Sequence, residues 1–236
     1  MPITLRLGLL IPSSNTTMEH EFNVMRPREA TVHVARMRLR EVTLSKLMDM
    51  EKEIELATLR LADAKVNVIG FGCTSGSLFR GLGHDQKIVT RIEKATNTPA
   101  VATAGAVVDV LKALKLSKIS VATPYTEEIN SLEKRFLEEN GVGIQKMKGL
   151  GIKDNLKIGE QNPRTVYKLV KEVDTAQSDG VFVSCTNLRT IEVVGRLEKE
   201  LKKPVVSSNT ATLWAMLRRA KYIKPVVGFG RLLTML

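Results

Sequence analysis

Cysteine is scarce in this chain of 236 residues, which contains only Cys73 and Cys185. A chain of this length can bury a large core without a cross-link, so it does not need a stabilising disulfide. The three histidines share no metal-ligand spacing with either cysteine or with one another, and we therefore expect no metal site. The presence of two thiols needs another explanation.

Long hydrophobic runs and aromatic residues are also lacking. No apolar run reaches the roughly 20 residues that a membrane-spanning helix needs, and the N-terminal segment has no signal-peptide pattern, so we expect a cytoplasmic protein with no membrane partner. Aromatic residues make up 4% of the chain, and the lysines and arginines behind its formal net charge of +11 are spread along it. Because there is no basic-aromatic motif, we expect no nucleic-acid partner. A solvated basic surface that attracts small anions is the simpler interpretation.

Short apolar runs alternate with amphipathic stretches along the whole chain, which predicts an α/β fold with parallel sheets covered by helices on both faces. One helical face is predicted from Leu47 to Ala64, where apolar residues recur at spacings of three and four. A second helix is predicted to begin at Pro163 behind an Asn162 cap, and a third to end near Gly141. The strand-like runs are LRLGLLI, TVHVARMRL, VNVIGFG, PAVAT, KISVAT, GIQKMKGL, GVFVS, PVVSS and PVVGFG.

The two halves of the chain resemble each other at a constant offset. Cys185 follows Cys73 by 112 residues, and Pro124 follows Pro12 by the same number. At this offset IPSSNTTME lies over TPYTEEINS, and VIGFGCTS lies over GVFVSCTN. A shorter similarity relates TPAVATAGA to KPVVSSNTA at an offset near 105. We infer two βαβαβ-type lobes that arose by duplication.

The polar residues that follow the predicted strands mark a candidate site. Ligands of open parallel α/β sheets bind outside the carboxyl ends of the strands, and segments 12–16, 73–77, 124–126 and 185–187 all lie at such ends. If the lobes face each other, both cysteines flank one cleft. Each is then expected to precede a helix N-terminus, a setting that favours a thiolate and binds anions.

Three further residue patterns near these loops are given structural interpretations. Thr16 and Glu19 have the spacing of a helix capping box. His84 and Arg189 lie near the two cysteine loops, and we interpret both as solvated surface residues outside the site.

Five motifs resemble the aspartate/glutamate racemase superfamily, and within it the maleate cis–trans isomerase group that neighbours arylmalonate decarboxylase: GLLIPSSNTTMEHEF, GCTSGS, VATPYTEEIN, GIKDNLKIG and SCTNLRT. The resemblance runs from about residue 5 to the closing GFGRLL. It implies two pseudo-symmetric lobes, each a four-stranded parallel sheet flanked by helices, with the active site between them. We assign residues 1–103 and 211–236 to the first lobe and residues 104–210 to the second.

The resemblance also implies an activity, the cofactor-independent isomerisation of maleate, a small dicarboxylate, to fumarate. It makes Cys73 the nucleophile that attacks an olefinic carbon and Cys185 the acid that protonates the neighbouring carbon. Rotation about the single bond of the succinyl-cysteine, followed by reversal of the addition, then releases fumarate. The residues implied to hold the two carboxylates are Asn15, Tyr125 and Asn155, helped by backbone amides around Ser14, Thr74, Ser75, Thr186 and Asn187.

Other functions remain open at this point. A racemase or epimerase could use the two cysteines as acid and base on opposite faces of an α-carbon, although the loop PSSNTTME favours the isomerase. An arylmalonate-type decarboxylase is less consistent with the chain, because those enzymes keep only the second-lobe cysteine and Cys73 is present here. A non-enzymatic carboxylate sensor would not need two thiols. The sequence does not show which thiol has the lower pKa, and for the assembly we expect a homo-oligomer, with a dimer as the default.

Overall fold

The apolar runs form two parallel β-sheets in the computed structural model, which describes residues 4–236. The strand order is β2-β1-β3-β4 in the first sheet and β6-β5-β7-β8 in the second. The strands are β1 (Leu5–Pro12), β2 (Ala30–Met37), β3 (Val68–Phe71), β4 (Ala100–Ala102), β5 (Lys118–Thr123), β6 (Gly143–Gly149), β7 (Gly180–Val183) and β8 (Val205–Ser207). Every pairing is parallel. The predicted α/β fold of two four-stranded lobes is therefore confirmed.

Helices follow the strands in both lobes and cover the sheets. They are α1 (Met18–Met25), α2 (Leu44–Glu51), α3 (Ile54–Ala62), α4 (Thr74–Leu78), α5 (His84–Thr96), α6 (Thr103–Ala113), α7 (Glu127–Glu139), α8 (Asn155–Gly159), α9 (Pro163–Val173), α10 (Ile191–Leu201) and α11 (Ser208–Arg219). The predicted start of α9 is confirmed, because the Asn162 side chain accepts a hydrogen bond from the Thr165 amide at 3.0 Å. Between residues 4 and 236, no helix has the length and apolar character needed to cross a membrane.

The internal repeat of the sequence is visible in the positions of the strands. The bounds of β3 and β7 differ by 112 residues at both ends, and those of β4 and β8 differ by 105. Both β3 and β7 are buried along their whole length, because helices cover both faces of each sheet. This burial explains why these strands appear in the sequence as continuous apolar runs and not as alternating ones.

Two predictions about secondary structure were wrong in detail. The apolar face from Leu47 to Ala64 is divided between α2 and α3, because the chain tightens at the junction, where the Glu53 amide donates to the Met50 carbonyl at 3.0 Å. The run PVVGFG forms no strand. Gly228 and Gly230 in that run have φ values of +104° and +85°, which interrupt an extended chain.

The last long helix lies where the two lobes meet. Helix α11 contacts β3 and β4 of the first sheet, and it also contacts α6 and β8, which belong to the range assigned to the second lobe. The assignment of residues 1–103 and 211–236 to the first lobe and of residues 104–210 to the second therefore stays a proposal.

Candidate active site

Cys73 lies just beyond the carboxyl end of β3 and caps α4. The backbone amide of Gly76 donates a hydrogen bond to its Sγ atom at 3.3 Å, and the Ser75 hydroxyl lies 3.7 Å from the same sulfur. The cap works because the Cys73 backbone is extended, with φ −144°, so that the side chain turns back over the first turn of the helix. The predicted position of Cys73 at a helix N-terminus is therefore confirmed.

Cys185 lies at the equivalent end of β7 but in a different local structure. Its φ is +94°, a left-handed conformation that costs a non-glycine residue about 1–3 kcal/mol. The Asn187 amide donates to its Sγ at 3.3 Å, and its own amide donates to the Ser208 hydroxyl at 3.1 Å. The next helix, α10, begins only at Ile191. Cys185 was expected to precede a helix N-terminus, but the irregular segment 186–190 separates it from α10, so it does not cap that helix as Cys73 caps α4.

Both thiols are buried, and burial determines their ionisation. Loss of hydration raises the pKa of Cys73 to about 11 and that of Cys185 to about 12, while the amide donors at each sulfur oppose the shift. At both sulfurs the effect of desolvation on the pKa exceeds the opposing effect of the N–H groups, which the sequence predicted would favour a thiolate. A charge on Cys73 also raises the pKa of Cys185, so the two sulfurs lie close enough to interact.

Asn15 and Thr186 link the first loop of one lobe to the cysteine loop of the other. The Asn15 Nδ2 group donates to the Thr186 hydroxyl at 3.0 Å, and that hydroxyl donates to the Gly72 carbonyl at 3.0 Å. The other end of the Asn15 amide, Oδ1, accepts hydrogen bonds from the amides of Thr17 and Met18 at 3.0 and 2.9 Å. Asn15 is therefore held at both ends of its side chain.

The cap of α1 differs from the predicted one. Asn15 takes that role, and the capping box of Thr16 and Glu19 was wrong, because both groups are engaged elsewhere. The Thr16 amide donates to Asn187 Oδ1 at 2.8 Å, and Glu19 forms an ion pair with Arg36 at 2.7 Å.

Asn155, Ser14 and Asn187 form a second group of contacts between the lobes. Asn155 Nδ2 donates to the Ser14 hydroxyl at 2.8 Å, and Asn187 Nδ2 donates to the Asn155 carbonyl at 2.6 Å. The Ser14 hydroxyl donates in turn to the Leu39 carbonyl. A segment after β2 lies over these residues, since the Asn155 amide donates to the Arg40 carbonyl at 2.8 Å.

Thr74 and Tyr125 complete the residues expected from the sequence. The Thr74 hydroxyl donates to the Ser208 hydroxyl at 2.8 Å, and Ser208 also accepts from the Cys185 amide, so it joins the two cysteine loops. Tyr125 follows β5 and is 2% exposed. Burial first, and then the charges of Cys185, Glu133 and Cys73, raise the pKa of its phenol well above the usual value. Tyr125 therefore belongs to the same cluster as both thiols.

Three buried polar residues that support the cysteine loops or the helices beside them were missed in the sequence. Ser208 begins α11 in the segment KPVVSSNTA, so the 105-residue offset could have identified it. Glu21 and Glu133 are fully buried carboxyl groups that occupy equivalent positions at the 112-residue offset. The sequence did contain a signal for the two glutamates: each is a charged residue on a largely apolar helix face, at the same place in both halves of the chain.

His84 and Arg189 lie outside the cluster. The interpretation of His84 as a surface residue was wrong, because its ring is buried edge-on against Phe79 with centroids 4.9 Å apart. Arg189 is exposed and pairs with Glu192 at 2.7 Å. Residues 4–236 contain no group of three or more His, Cys, Asp or Glu side chains placed to hold a metal ion.

Two duplicated parallel α/β lobes, with one buried thiol at the same strand end of each, define a class of two-lobed proteins whose site lies between the lobes. Comparison with known proteins gives the family. The family model of arylmalonate decarboxylase matches residues 7–233. The chain is 33% identical to maleate isomerase of Pseudomonas putida, with 97% of each chain covered, and 30% identical to arylmalonate decarboxylase of Bordetella bronchiseptica, with 73% of each covered.

Solved structures agree with this comparison. A maleate isomerase variant from Pseudomonas putida S16 with maleate superimposes with a TM-score of 0.95 at 29% identity, over 98% of each chain. A cysteine-to-serine variant of the Nocardia farcinica maleate cis–trans isomerase with a covalently bound succinylcysteine intermediate gives a TM-score of 0.94 at 27% identity, again over 98% of each chain. The chain belongs to the family of arylmalonate decarboxylase and the maleate isomerases.

Proposed function

We propose that this protein isomerises maleate to fumarate through a succinyl adduct on Cys73, without a cofactor. The observation that carries the proposal is the pair of thiols at matching strand ends, surrounded by neutral hydrogen-bond donors. Conjugate addition to an alkene needs a soft nucleophile, which a thiolate supplies. The relatives named as maleate isomerases, one of them with a covalent succinylcysteine, support the same chemistry here.

The two cysteine sulfurs can carry out every bond-forming, bond-breaking and proton-transfer step of this isomerisation. The Cys73 thiolate forms a bond to one olefinic carbon, and the displaced electron pair moves to the second carbon and its carboxylate. Cys185 then gives its proton to that second carbon and becomes a thiolate. After rotation about the new carbon–carbon single bond, Cys185 takes the proton back, the carbon–sulfur bond breaks, and fumarate leaves.

Neutral donors suit the charge that this addition creates. Attack by Cys73 places negative charge on the carboxylate beside the second carbon, where fixed N–H and O–H groups stabilise the transition state. Asn15 and Asn155 each use one N–H of the side-chain amide inside the protein, and the second N–H of each has no partner among residues 4–236. We assign these two N–H groups and the Tyr125 hydroxyl to the substrate carboxylates. We assign the backbone amides around Ser14, Thr74, Ser75, Thr186 and Asn187 to assist these donors.

The thiols and Tyr125 are at most 4% exposed. Maleate can therefore reach them only if the covering loops move. We propose that the segment after β2 moves, because its Arg40 carbonyl accepts from the Asn155 amide and its Val42 amide donates to the Lys153 carbonyl, both at 2.8 Å.

Proton NMR of maleate incubated with the protein tests the proposal. The vinyl signal of maleate should be replaced by that of fumarate, Cys73→Ala should abolish the change, and Cys185→Ser should slow it while an adduct of one maleate forms on Cys73. A fully active Cys73→Ala variant would contradict the covalent mechanism. Unchanged maleate together with a ligand-induced rise in Tm would favour a carboxylate sensor. Incubation of D- and L-aspartate in deuterated water tests racemisation, which α-proton exchange would reveal.

The homodimer and the cytoplasmic location expected from the sequence stay predictions. Light scattering of the purified protein measures the first, and cell fractionation measures the second.

A further inference from the structure

Glu133 is a buried carboxyl group directly behind the loop that holds Cys185. It lies on α7 with no exposed surface, and its Oε1 atom accepts a hydrogen bond from the Ser184 hydroxyl at 2.5 Å. Ser184 is the residue immediately before Cys185. The second oxygen, Oε2, is buried and has no hydrogen-bond partner among residues 4–236. A buried carboxyl group with a hydrogen bond to only one of its oxygens reduces the stability of the fold. We therefore expect Glu133 to have a function that offsets this loss.

The duplicated counterpart of Glu133 is held quite differently. Glu21, 112 residues earlier, accepts hydrogen bonds from the Thr190 and Ile191 amides at 2.6 and 3.2 Å and from Asn209 Nδ2 at 2.7 Å. It therefore joins α1 to the start of α10 and to α11, and both of its oxygens have partners. The position that matches Ser184 in the first lobe is Gly72, which has no hydroxyl, so no equivalent link reaches Cys73.

We propose that Glu133 is a positioning residue whose negative charge, placed behind Ser184, keeps Cys185 as the proton donor and leaves Cys73 as the nucleophile. The assignment of the two roles rests on the proposed isomerisation, whereas the effect of Glu133 on Cys185 does not. The two cysteine loops are related by duplication, and Glu133 is a charged group coupled to only one of them.

The charges that act on each thiol agree with this asymmetry. The titratable groups that face Cys185 are Tyr125 from the loop after β5, Cys73 from the end of β3 and Glu133 from α7. Burial is the largest cause of its raised pKa; the charges of Cys73 and Glu133 raise the pKa further, whereas a hydrogen bond with Tyr125 lowers it. Burial and hydrogen bonds from Gly76 and Ser75 alone determine the shift at Cys73. Burial raises the pKa of Glu133 itself to about 7, so its charge develops at and above neutral pH.

The charge has a defined consequence for the reaction cycle. When Cys185 has given its proton to carbon, its thiolate faces the charge of an ionised Glu133 that lies behind Ser184. Repulsion between the two negative charges makes that thiolate a stronger base, which favours recovery of the proton and breakdown of the adduct. Without the charge, the adduct should persist longer.

Alkylation of Cys185 measures the effect without maleate. In a Cys73→Ala background only Cys185 can react, and the rate with iodoacetamide, followed by mass spectrometry, reports the thiolate fraction. Addition of Glu133→Gln should leave the rate nearly unchanged at pH 5.5 and raise it about tenfold at pH 9, because removal of a neighbouring charge shifts a pKa by about one unit. Glu21→Gln in the same background is the matched control, and it should show no such increase with pH.

A purely structural role predicts another result. If Glu133→Gln only loosened the loop, the alkylation rate would rise by the same factor at every pH, and such a pH-independent increase would overturn the proposal.

A second measurement needs no change at Glu133. In protein labelled with ¹³C at the cysteine β-carbon, the two signals are assigned with Cys73→Ala and Cys185→Ser. The chemical shift of the Cys185 signal should change with an inflection near pH 7, whereas that of the Cys73 signal should not. The inflection at Cys185 should remain in the Glu21→Gln variant. Absence of that inflection would also contradict the proposal. If the alkylation and NMR results are as expected but the wild-type protein does not isomerise maleate, the proposed function is contradicted and the effect of Glu133 on Cys185 is not.

Discussion

The Asn15 amide donates to the Thr186 hydroxyl at 3.0 Å across the boundary between the lobes. Thr186 follows Cys185 directly, and its hydroxyl donates to the Gly72 carbonyl beside Cys73. One asparagine is thereby connected to both cysteine loops. Displacement of its side chain should disturb both thiols together.

The Asn15→Asp variant tests the two roles of the Asn15 side chain separately: its oxygen caps helix α1, and its N–H groups donate hydrogen bonds. An aspartate can still accept from the amides of Thr17 and Met18, so the helix start should survive, although a carboxyl group at this buried position should lower Tm by a few degrees. The variant loses both N–H groups and adds a charge that repels a carboxylate. We expect kcat/KM for maleate to fall by about 100-fold or more, the usual effect of removing one preorganised donor.

Asn162→Asp is the matched control for that substitution. Asn162 also caps a helix through its side-chain oxygen but lies outside the site, so its variant should keep wild-type kinetics. Equal activities of the two variants would show that Asn15 has only the structural role.

Tyr125→Phe tests the phenol beside Cys185. The ring is buried and remains in the variant, so the free energy of unfolding should change little, whereas loss of the hydroxyl should lower kcat by about tenfold or more. Tyr167→Phe provides the comparison, because its hydroxyl donates to Glu200 on the surface at 2.5 Å. A Tyr125→Phe enzyme with unchanged kcat would remove the phenol from the mechanism.

The pH dependence of the rate follows from the two raised thiol pKa values. The reactive form needs Cys73 ionised and Cys185 protonated. Burial raises the pKa of Cys73 to about 11 and that of Cys185 to about 12, so the reactive fraction grows as pH rises toward 11. We expect kcat/KM, which reports the free enzyme, to increase by about tenfold per pH unit between pH 7 and 9. A plateau already at pH 7.5 would be inconsistent with a buried, desolvated nucleophile.

Gly159→Ala tests the contact between α8 and the second cysteine loop. A β-carbon at this position would lie 3.0–3.1 Å from the Asn187 side-chain amide and closer still to the Thr16 hydroxyl. Since Asn187 holds both Thr16 and Asn155, we expect its displacement to lower Tm by several degrees and kcat/KM by about tenfold or more.

Gly195→Ala is the control for this substitution. Gly195 lies within α10 in open surroundings, where a β-carbon would have its nearest neighbour 4.0 Å away, and alanine favours a helix interior by about 1 kcal/mol. This variant should be fully active and at least as stable as the wild type, as thermal unfolding can measure.

Much of this architecture is visible in the sequence because local patterns encode it. The continuous apolar runs of β3 and β7 predict buried parallel strands, and the offset between Cys73 and Cys185 predicts the duplication. The failures also have local causes. Gly228 and Gly230 interrupt a run that looks like a strand, and Asn15 takes the cap that Thr16 was expected to provide because Thr16 is bonded to Asn187 in the other lobe.

The fold class, the repeat and the choice of the two cysteines as site residues could be predicted from local sequence, since they depend on periodicity and on residue type at strand ends. The ionisation and local geometry of the site depend on tertiary contacts. Burial raises both thiol pKa values, the left-handed turn at Cys185 separates it from α10, and Glu133 lies behind only one of two similar loops. These properties arise from desolvation and from contacts between residues far apart in the chain, such as Glu133 and Ser184 at a separation of 51 positions, which no local pattern contains.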